Sequence, residues 1–338
     1  MKPEKEESAA ALEARNAGLD SGGASLPDEE EQRRTRIAWL YYVEGKTQSE
    51  IGEALRLSRV KVNRELAICR DSGLVQIRIN GRLADCVALE RKLQSLYGLA
   101  DAVVVPTPAD PEGIALALGM AVGAYVSDRL KPGMTVGIGW GRTLRCSIRA
   151  MRRRHVPRLT VVSLMGGLGR ASELNTYETA SHFAELHDAT CYYLAAPTFA
   201  DSVKLRDMLL DQARMREVYE RCRRADMTIA SVGGLGRHNR IHSLGLLTAA
   251  EQRSLAAAGA VGDYLCHFLD RDGALVKHPV NGRVVGVSPP DLSQVPIRIL
   301  ASGGAEKTTI LRATLAAGYA TVLITDEKTA RLLVGGSA

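Results

Sequence analysis

Between residues 34 and 73 the apolar positions recur at three- and four-residue spacing, the period of an amphipathic helix. Residues 34–44 place Ile37, Leu40 and Tyr41 on one face, and Gly45 stops that helix. Thr47-Gln-Ser-Glu50 is a capping box, in which the hydroxyl and the carboxylate satisfy each other's free backbone donors, and Ile51, Ala54 and Leu55 follow it on one face. Ser58 is a good N-cap for a third helix, with Val62, Leu66 and Cys69 or Arg70 inward, ending at Ser72-Gly73. Leu74 to Ile79 then alternates and closes on Asn80-Gly81, which predicts a hairpin. Val87, Leu89, Leu93 and Leu96 predict a connecting helix over 85–97. From residue 100 onward short continuous apolar runs alternate with helical patterns. The predicted strands are 102–105, 135–138, 160–164, 191–194, 227–231, 297–302 and 321–324, with helices running to Leu130, from Thr143 and near 177–186. Unbroken apolar strands with helices between them imply an α/β fold, with a mainly parallel sheet covered on both faces.

Four regions follow: an acidic head at 1–32, a winged helix-turn-helix at 33–83, a linker helix at 84–98, and a large α/β effector and oligomerisation domain at 99–338. The head carries three basic and nine acidic side chains with little apolar surface, so disorder is expected there. The sign then reverses: residues 33–82 hold eleven Lys and Arg against five Asp and Glu, an excess that suits a phosphate backbone. Aromatics make up only 4%, which disfavours a stacking-based single-strand binder. No apolar run of about 18 residues and no leader-like apolar stretch occurs, so a cytoplasmic chain is expected. The six cysteines contain no C-x-x-C pair and read as reduced thiols.

Two short helices joined by Arg56-Leu57-Ser58, the second headed by basic residues, match what a helix-turn-helix needs. With Val62 and Leu66 inward, Arg59, Val60, Lys61, Asn63 and Arg64 are the candidate DNA contacts. The arginines suit phosphate or guanine and Asn63 suits adenine. In the large domain, three strand-end loops carry anion-binding chemistry: Gly137 to Thr143 with Arg142, Met165 to Arg170, and Ser302 to Lys307. A Gly-rich turn is also simply a tight turn, so each loop has a packing explanation beside the ligand one. A dinucleotide fingerprint fails because no acid stands between Arg142 and Glu173, and a P-loop fails because Glu306 and Ala301 occupy its glycine positions. No G-x-S-x-G or H-E-x-x-H is present, which names neither a hydrolase nucleophile nor a metal site.

Gly139-Trp-Gly-Arg-Thr-Leu144, Leu164-Met-Gly-Gly-Leu168, Ala196-Pro-Thr-Phe-Ala-Asp201, Val261-Gly-Asp-Tyr264 with Phe268-Leu-Asp-Arg-Asp-Gly273, and Ala301-Ser-Gly-Gly-Ala-Glu-Lys307 together resemble the SorC family of bacterial sugar-responsive transcriptional regulators. The resemblance also takes in the helix-turn-helix and spans about residues 33–333. It implies an effector domain similar to the sugar-phosphate isomerase and glucosamine-phosphate deaminase fold, working without turnover and without a cofactor or metal. It implies operator DNA and a phosphorylated sugar or polyol-derived effector as partners, and a dimer or tetramer. Carried onto matching positions, Gly139, Gly141, Arg142 and Thr143 would hold the anionic group, Gly166 and Gly167 would line the pocket, and Asp263 and Lys307 would address hydroxyl and anionic groups. An isomerase or deaminase fused to a DNA-binding module is the competing reading, with Asp263 or Glu306 as its base.

Overall fold

The computed structural model describes residues 29–75, 84–168, 176–236 and 239–335. The acidic head before residue 29, the hairpin expected beyond Val75, and Arg170 lie outside the described residues. The chain divides into two compact units, Met1–Gln76 and Ile77–Ala338. Among the described residues no helix is long and apolar enough to cross a membrane.

The first unit contains α1 (Glu29–Tyr42), α2 (Gln48–Leu55) and α3 (Arg59–Asp71), closed around Ile37, Leu40, Ile51, Val62 and Leu66. α1 starts five residues before the expected Arg34, because Glu30 one turn earlier pairs with Arg34 at 3.0 Å and three acids complement the helix N-terminus. The capping box of α2 forms as read: Thr47 N–H donates to Glu50 Oε2 at 2.7 Å and Glu50 N–H to Thr47 Oγ1 at 3.3 Å. α2 stops at Arg56, which adopts the left-handed conformation (φ 53°), and α3 starts on Ser58, whose Oγ accepts from Lys61 N–H at 3.2 Å. The turn between them is tight because position 52 is glycine. A Cβ there would stand 2.6 Å from the Leu57 carbonyl oxygen.

The second unit opens with α4 (Ala84–Tyr97) and is built on a parallel sheet of β1 (Asp101–Val105), β2 (Thr135–Ile138), β3 (Thr160–Ser163), β4 (Thr190–Tyr192), β5 (Met227–Ala230), β9 (Ile297–Ala301) and β10 (Val322–Asp326), in the order β1-β10-β9-β5-β2-β3-β4. Successive strand residues separate to opposite faces, as the pleat requires. Ile138, Val161, Ile229, Ile299 and Ile324 meet α5 (Ile114–Ser127), α6 (Arg142–Ala150) and α7 (Thr176–His187) through Leu118, Val122, Leu144, Ile148 and Phe183. On the other face Val162, Ala230, Leu300 and Leu323 join Leu89 and Leu93 of α4, Met215 and Cys222 of α9 (Ala213–Arg223), Leu311 of α13 (Thr308–Ala316) and Leu333 of α14 (Glu327–Gly335). The short α8 (Val203–Leu210) precedes α9.

Also on that second face lies a small antiparallel sheet that the strand pattern did not predict: β6 (Val232–Gly234), β7 (Gly262–Tyr264) and β8 (His267–Leu269). Three-residue strands are too short to show a period of two. α10 (Arg240–Ser243) and α11 (Ala249–Ala257) lie between β6 and β7 in the chain, and α12 (Pro279–Gly282) follows β8. The residues read as a linker helix pack firmly here: Glu90 Oε1 accepts from Val104 N–H at 2.9 Å, Tyr97 OH donates to the Leu333 carbonyl at 3.1 Å, and Asp85 pairs with Arg331 at 3.1 Å.

Candidate functional site

α3 of the first unit presents two faces of opposite character. Val62 and Leu66 are fully buried, while Arg59, Val60, Asn63 and Arg64 are exposed. Exposure of an aliphatic side chain costs solvation, and Val60 is 79% exposed at the first turn of the helix. Lys61 differs from its neighbours. Its ammonium lies 2.8 Å from Glu65, whose carboxylate is buried and also meets Arg34 Nε at 2.8 Å. The hydrogen bond from Lys61, then that from Arg34, hold the Glu65 carboxyl below its ordinary range against the opposing effect of burial. Glu65 therefore ties α3 to α1 through Arg34 while Lys61, one turn earlier on α3, shares its charge, a structural duty the sequence did not reveal because Glu65 reads as one more surface acid. Asn63 Oδ1 accepts from Gln48 at 3.3 Å, which brings the first turn of α2 to the same exposed surface.

In the second unit the chain runs from β2 outward to β3 and β4 and then returns to β5 on the other side of β2. β2 and β5 thus flank the point where the strand order reverses, and the crevice beyond the carboxyl ends at such a reversal is where open α/β sheets bind ligands. Gly141 closes the β2 loop with φ 125°, a conformation that L side chains rarely adopt, and leaves the first N–H groups of α6 without a side-chain cap. A Cβ on Gly141 would lie 4.0 Å from the Ser231 side chain, so the β2 and β5 loops adjoin. Gly234 approaches the Glu306 carbonyl, and Gly233 packs so closely on Asp263 that a Cβ would stand 2.3 Å from its Oδ1. The Gly139, Asp263 and Lys307 segments therefore converge on one crevice.

The charges of this crevice are mutually strained. Asp263 is buried, and loss of water pushes its carboxyl up to about 7 although the Cys266 N–H, Lys307 and Asn239 all favour the ionised form. Cys266 N–H donates to its Oδ2 at 3.2 Å. Lys307 is half-buried and its ammonium is pushed down, first by desolvation and further by Arg142 and Arg240, with Glu306 and Asp263 opposing. Desolvation followed by Arg149, Arg142 and Arg240 likewise pushes the Arg145 guanidinium down. Arg142 and Arg240 are thus within electrostatic reach of both Arg145 and Lys307, and Lys307 also feels the carboxylates of Glu306 and Asp263. One further carboxylate meets the group from outside: Glu112 Oε2 lies 2.7 Å from Arg142 Nη2.

The remaining sequence candidates have local packing roles. Gly139 N–H extends the ladder to the Ile229 carbonyl at 2.9 Å, and Thr143 is buried in the first turn of α6. A Cβ on Gly166 would meet the Ala196 carbonyl oxygen at 2.4 Å, and one on Gly167 would meet the Tyr177 ring at the same distance. The space beside both is filled by protein, so no described contact brings them to Asp263 or Lys307. Their glycines allow close chain packing instead, with Thr198 Oγ1 donating to both carbonyls. Arg145, Ser231, Asn239 and Arg240 belong to the crevice and were not singled out from sequence. Arg145 lies one turn beyond Arg142, a spacing that could have flagged it. Asn239 caps and Arg240 opens a helix of only four residues, which leaves no periodicity to read. Ser302, at the end of β9, is buried with no hydrogen-bond partner for its hydroxyl among the described residues.

Comparison with known proteins bears on the chain as a whole. The family model Sugar-bind, described as "Putative sugar-binding domain", matches residues 81–335. The chain is 33% identical over 313 residues to the erythritol catabolism regulatory protein EryD of Brucella abortus (strain 2308), covering 92% of this chain and 98% of that protein. It is 34% identical over 310 residues to the deoxyribonucleoside regulator of Bacillus subtilis (strain 168), covering 90% and 98%. Among solved structures, the full-length sorbitol operon regulator SorC from Klebsiella pneumoniae superposes with a TM-score of 0.69 at 25% identity, over 90% of this chain and 98% of that one.

Proposed function

From the premise that this chain belongs to the SorC family of sugar-binding transcriptional regulators, we propose that it controls an operon for carbohydrate or polyol catabolism, with operator affinity set by a phosphorylated sugar or related metabolite. The single observation that carries the effector class is the group of four cations at the strand-order reversal. Arg142 and Arg240 repel both Arg145 and Lys307, and an anion placed among them relieves that repulsion. Arg142, with Gly139, Gly141 and Thr143 shaping the loop around it, and Lys307 receive the phosphoryl group, and Asp263 accepts hydrogen bonds from sugar hydroxyls. Gly166 and Gly167 shape the neighbouring loop.

In this reading residues 33–83 form the winged helix-turn-helix. Arg59 and Arg64 engage phosphates or guanine, Asn63 reads a base edge, and exposed Val60 fits a thymine methyl group. Lys61 contributes through its hold on Glu65 and adds field to the DNA surface. Residues 84–98 connect this module to the effector domain, which is of the sugar-phosphate isomerase and deaminase type put to binding without turnover. The protein acts in the cytoplasm as a dimer or tetramer, and the effector shifts operator affinity by binding two quaternary arrangements unequally. The test is a thermal-shift screen of the full-length protein against phosphorylated and free sugars. A phosphorylated hit that Lys307→Ala abolishes supports the pocket; a hit indifferent to Lys307→Ala, or turnover of the hit, overturns it.

A further inference from the structure

The cation that stands at the start of α6 already has an anion beside it. Arg142 Nη2 lies 2.7 Å from Glu112 Oε2 and donates to the Glu112 backbone carbonyl at 3.2 Å. Glu112 sits in a single 3-10 turn, Pro111–Gly113, ahead of α5. That turn is built to stay in place. Asp110 caps it, its Oδ1 accepting from Glu112 N–H at 2.9 Å and its carbonyl from Gly113 N–H at 3.0 Å, and Pro111 fixes the first φ. The loop leading to the turn hangs on Asp326: Thr107 Oγ1 donates to Asp326 Oδ1 at 2.8 Å, while Asp326 Oδ2 accepts from Gly304 N–H at 3.1 Å. One buried carboxylate therefore anchors both the loop that carries Glu112 and the loop that carries Lys307.

The Glu112 carboxylate itself is 76% exposed, against 34% for the Arg142 side chain. A pair so open to water shifts an association constant by only about two- to five-fold, so its partner can be exchanged. We propose that Glu112 is a resident counter-anion that competes with the ligand for Arg142 and so sets the threshold of attraction that an anion must exceed to occupy the pocket. This rests on the anion pocket of the preceding section and concerns its specificity. Exchanging Glu112 for an external monoanionic carboxylate replaces one pair by an equivalent one and has no net attraction to offset the entropy of association. A phosphoryl dianion carries more charge and three oxygens. It pairs with the Arg142 fork while also reaching the field of Lys307 or Arg240, which lie within electrostatic reach. Neutral sugars gain nothing at Arg142.

The experiment is isothermal titration of the full-length protein with inorganic phosphate and with acetate, using wild type, Glu112→Gln, Arg142→Ala, the double variant and Lys307→Ala, each checked by its melting curve. Glu112→Gln is expected to tighten phosphate by about two- to five-fold, the equivalent of an exposed ion pair, and to raise acetate affinity by a similar factor. The gain must vanish in the Arg142→Ala background, which separates pairing with Arg142 from a general change of charge. Equal phosphate affinity in wild type and Glu112→Gln, with affinity still lost in Arg142→Ala, overturns the role of Glu112 and leaves the pocket standing. Phosphate binding that is absent, or unaffected by Arg142→Ala and Lys307→Ala, overturns the pocket reading and this proposal with it.

Discussion

Asp263 shows how one side chain can be shaped by what surrounds it. Its ordinary carboxyl pKa of 3.8 is raised to about 7 by burial. Between those two values the folded chain binds the proton that the unfolded chain has released, so stability falls as pH rises from about 4 to about 7 and levels off above. Asp263→Asn keeps an acceptor oxygen but does not titrate. The melting temperature of the variant relative to wild type is therefore expected to rise across that window, with a slope of up to about 1.4 kcal/mol per pH unit; a flat difference would show that Asp263 titrates normally. Gly233 is the counterpart in backbone form. A Cβ there would collide with Asp263 Oδ1, so Gly233→Ala should displace the carboxylate and weaken effector binding at least ten-fold, read as the loss of the ligand-induced thermal shift. Asp263 and Lys307 were visible in the sequence as charged residues in motifs; Gly233 was not, because nothing in the sequence reveals which carboxylate a glycine makes room for.

At the scale of elements, α3 depends on its ends and on one buried acid. Ser58 caps its first turn, and Ser58→Ala should cost about 1 kcal/mol, detectable as faster amide exchange at Lys61 in the first unit. Glu65 is held by Lys61 and Arg34 and its pKa is lowered, so its stabilisation is present at neutral pH and is lost as pH falls below the ordinary carboxylate range. Glu65→Gln should lower the melting temperature of wild type at pH 7 and do so less at acidic pH, where the wild-type pair is itself titrated. The three helices and the parallel strands were legible because each carries a period or a capping signal: strand 135–138 was read to the residue, and the other parallel strands fall within two residues of their expected ends. The β6-β7-β8 sheet was not, since its pairing is set by tertiary packing of Val232, Tyr264 and Phe268 rather than by local alternation.

The whole chain carries a basic helical unit and an α/β unit, each compact in itself. α4, the first described element after the DNA-binding module, packs on α14 through Asp85 and Tyr97, and the first turn of α14 shares Asp326 with the Gly304 turn of the pocket. A ligand that moves the Lys307 loop therefore has a continuous set of contacts leading to α4 within the second unit. The parallel sheet followed from the alternation of apolar runs and helices; the nearness of Arg240 to Lys307 did not, because it arises only in three dimensions. Operator binding should weaken linearly in log–log plots against salt, and Arg59→Ala with Arg64→Ala should flatten that slope by about 1.8 if both contact phosphate. The measurement that bears most directly on the whole account is the affinity of the full-length protein for its own upstream DNA, titrated by fluorescence anisotropy with and without the phosphorylated sugar that shifts its melting temperature. The account predicts that the sugar changes operator affinity by five-fold or more, taking about 1 kcal/mol as the lower end of allosteric coupling, and that Lys307→Ala removes the response while leaving ligand-free DNA binding intact. An operator affinity that no such ligand alters, or a response that survives Lys307→Ala, contradicts it.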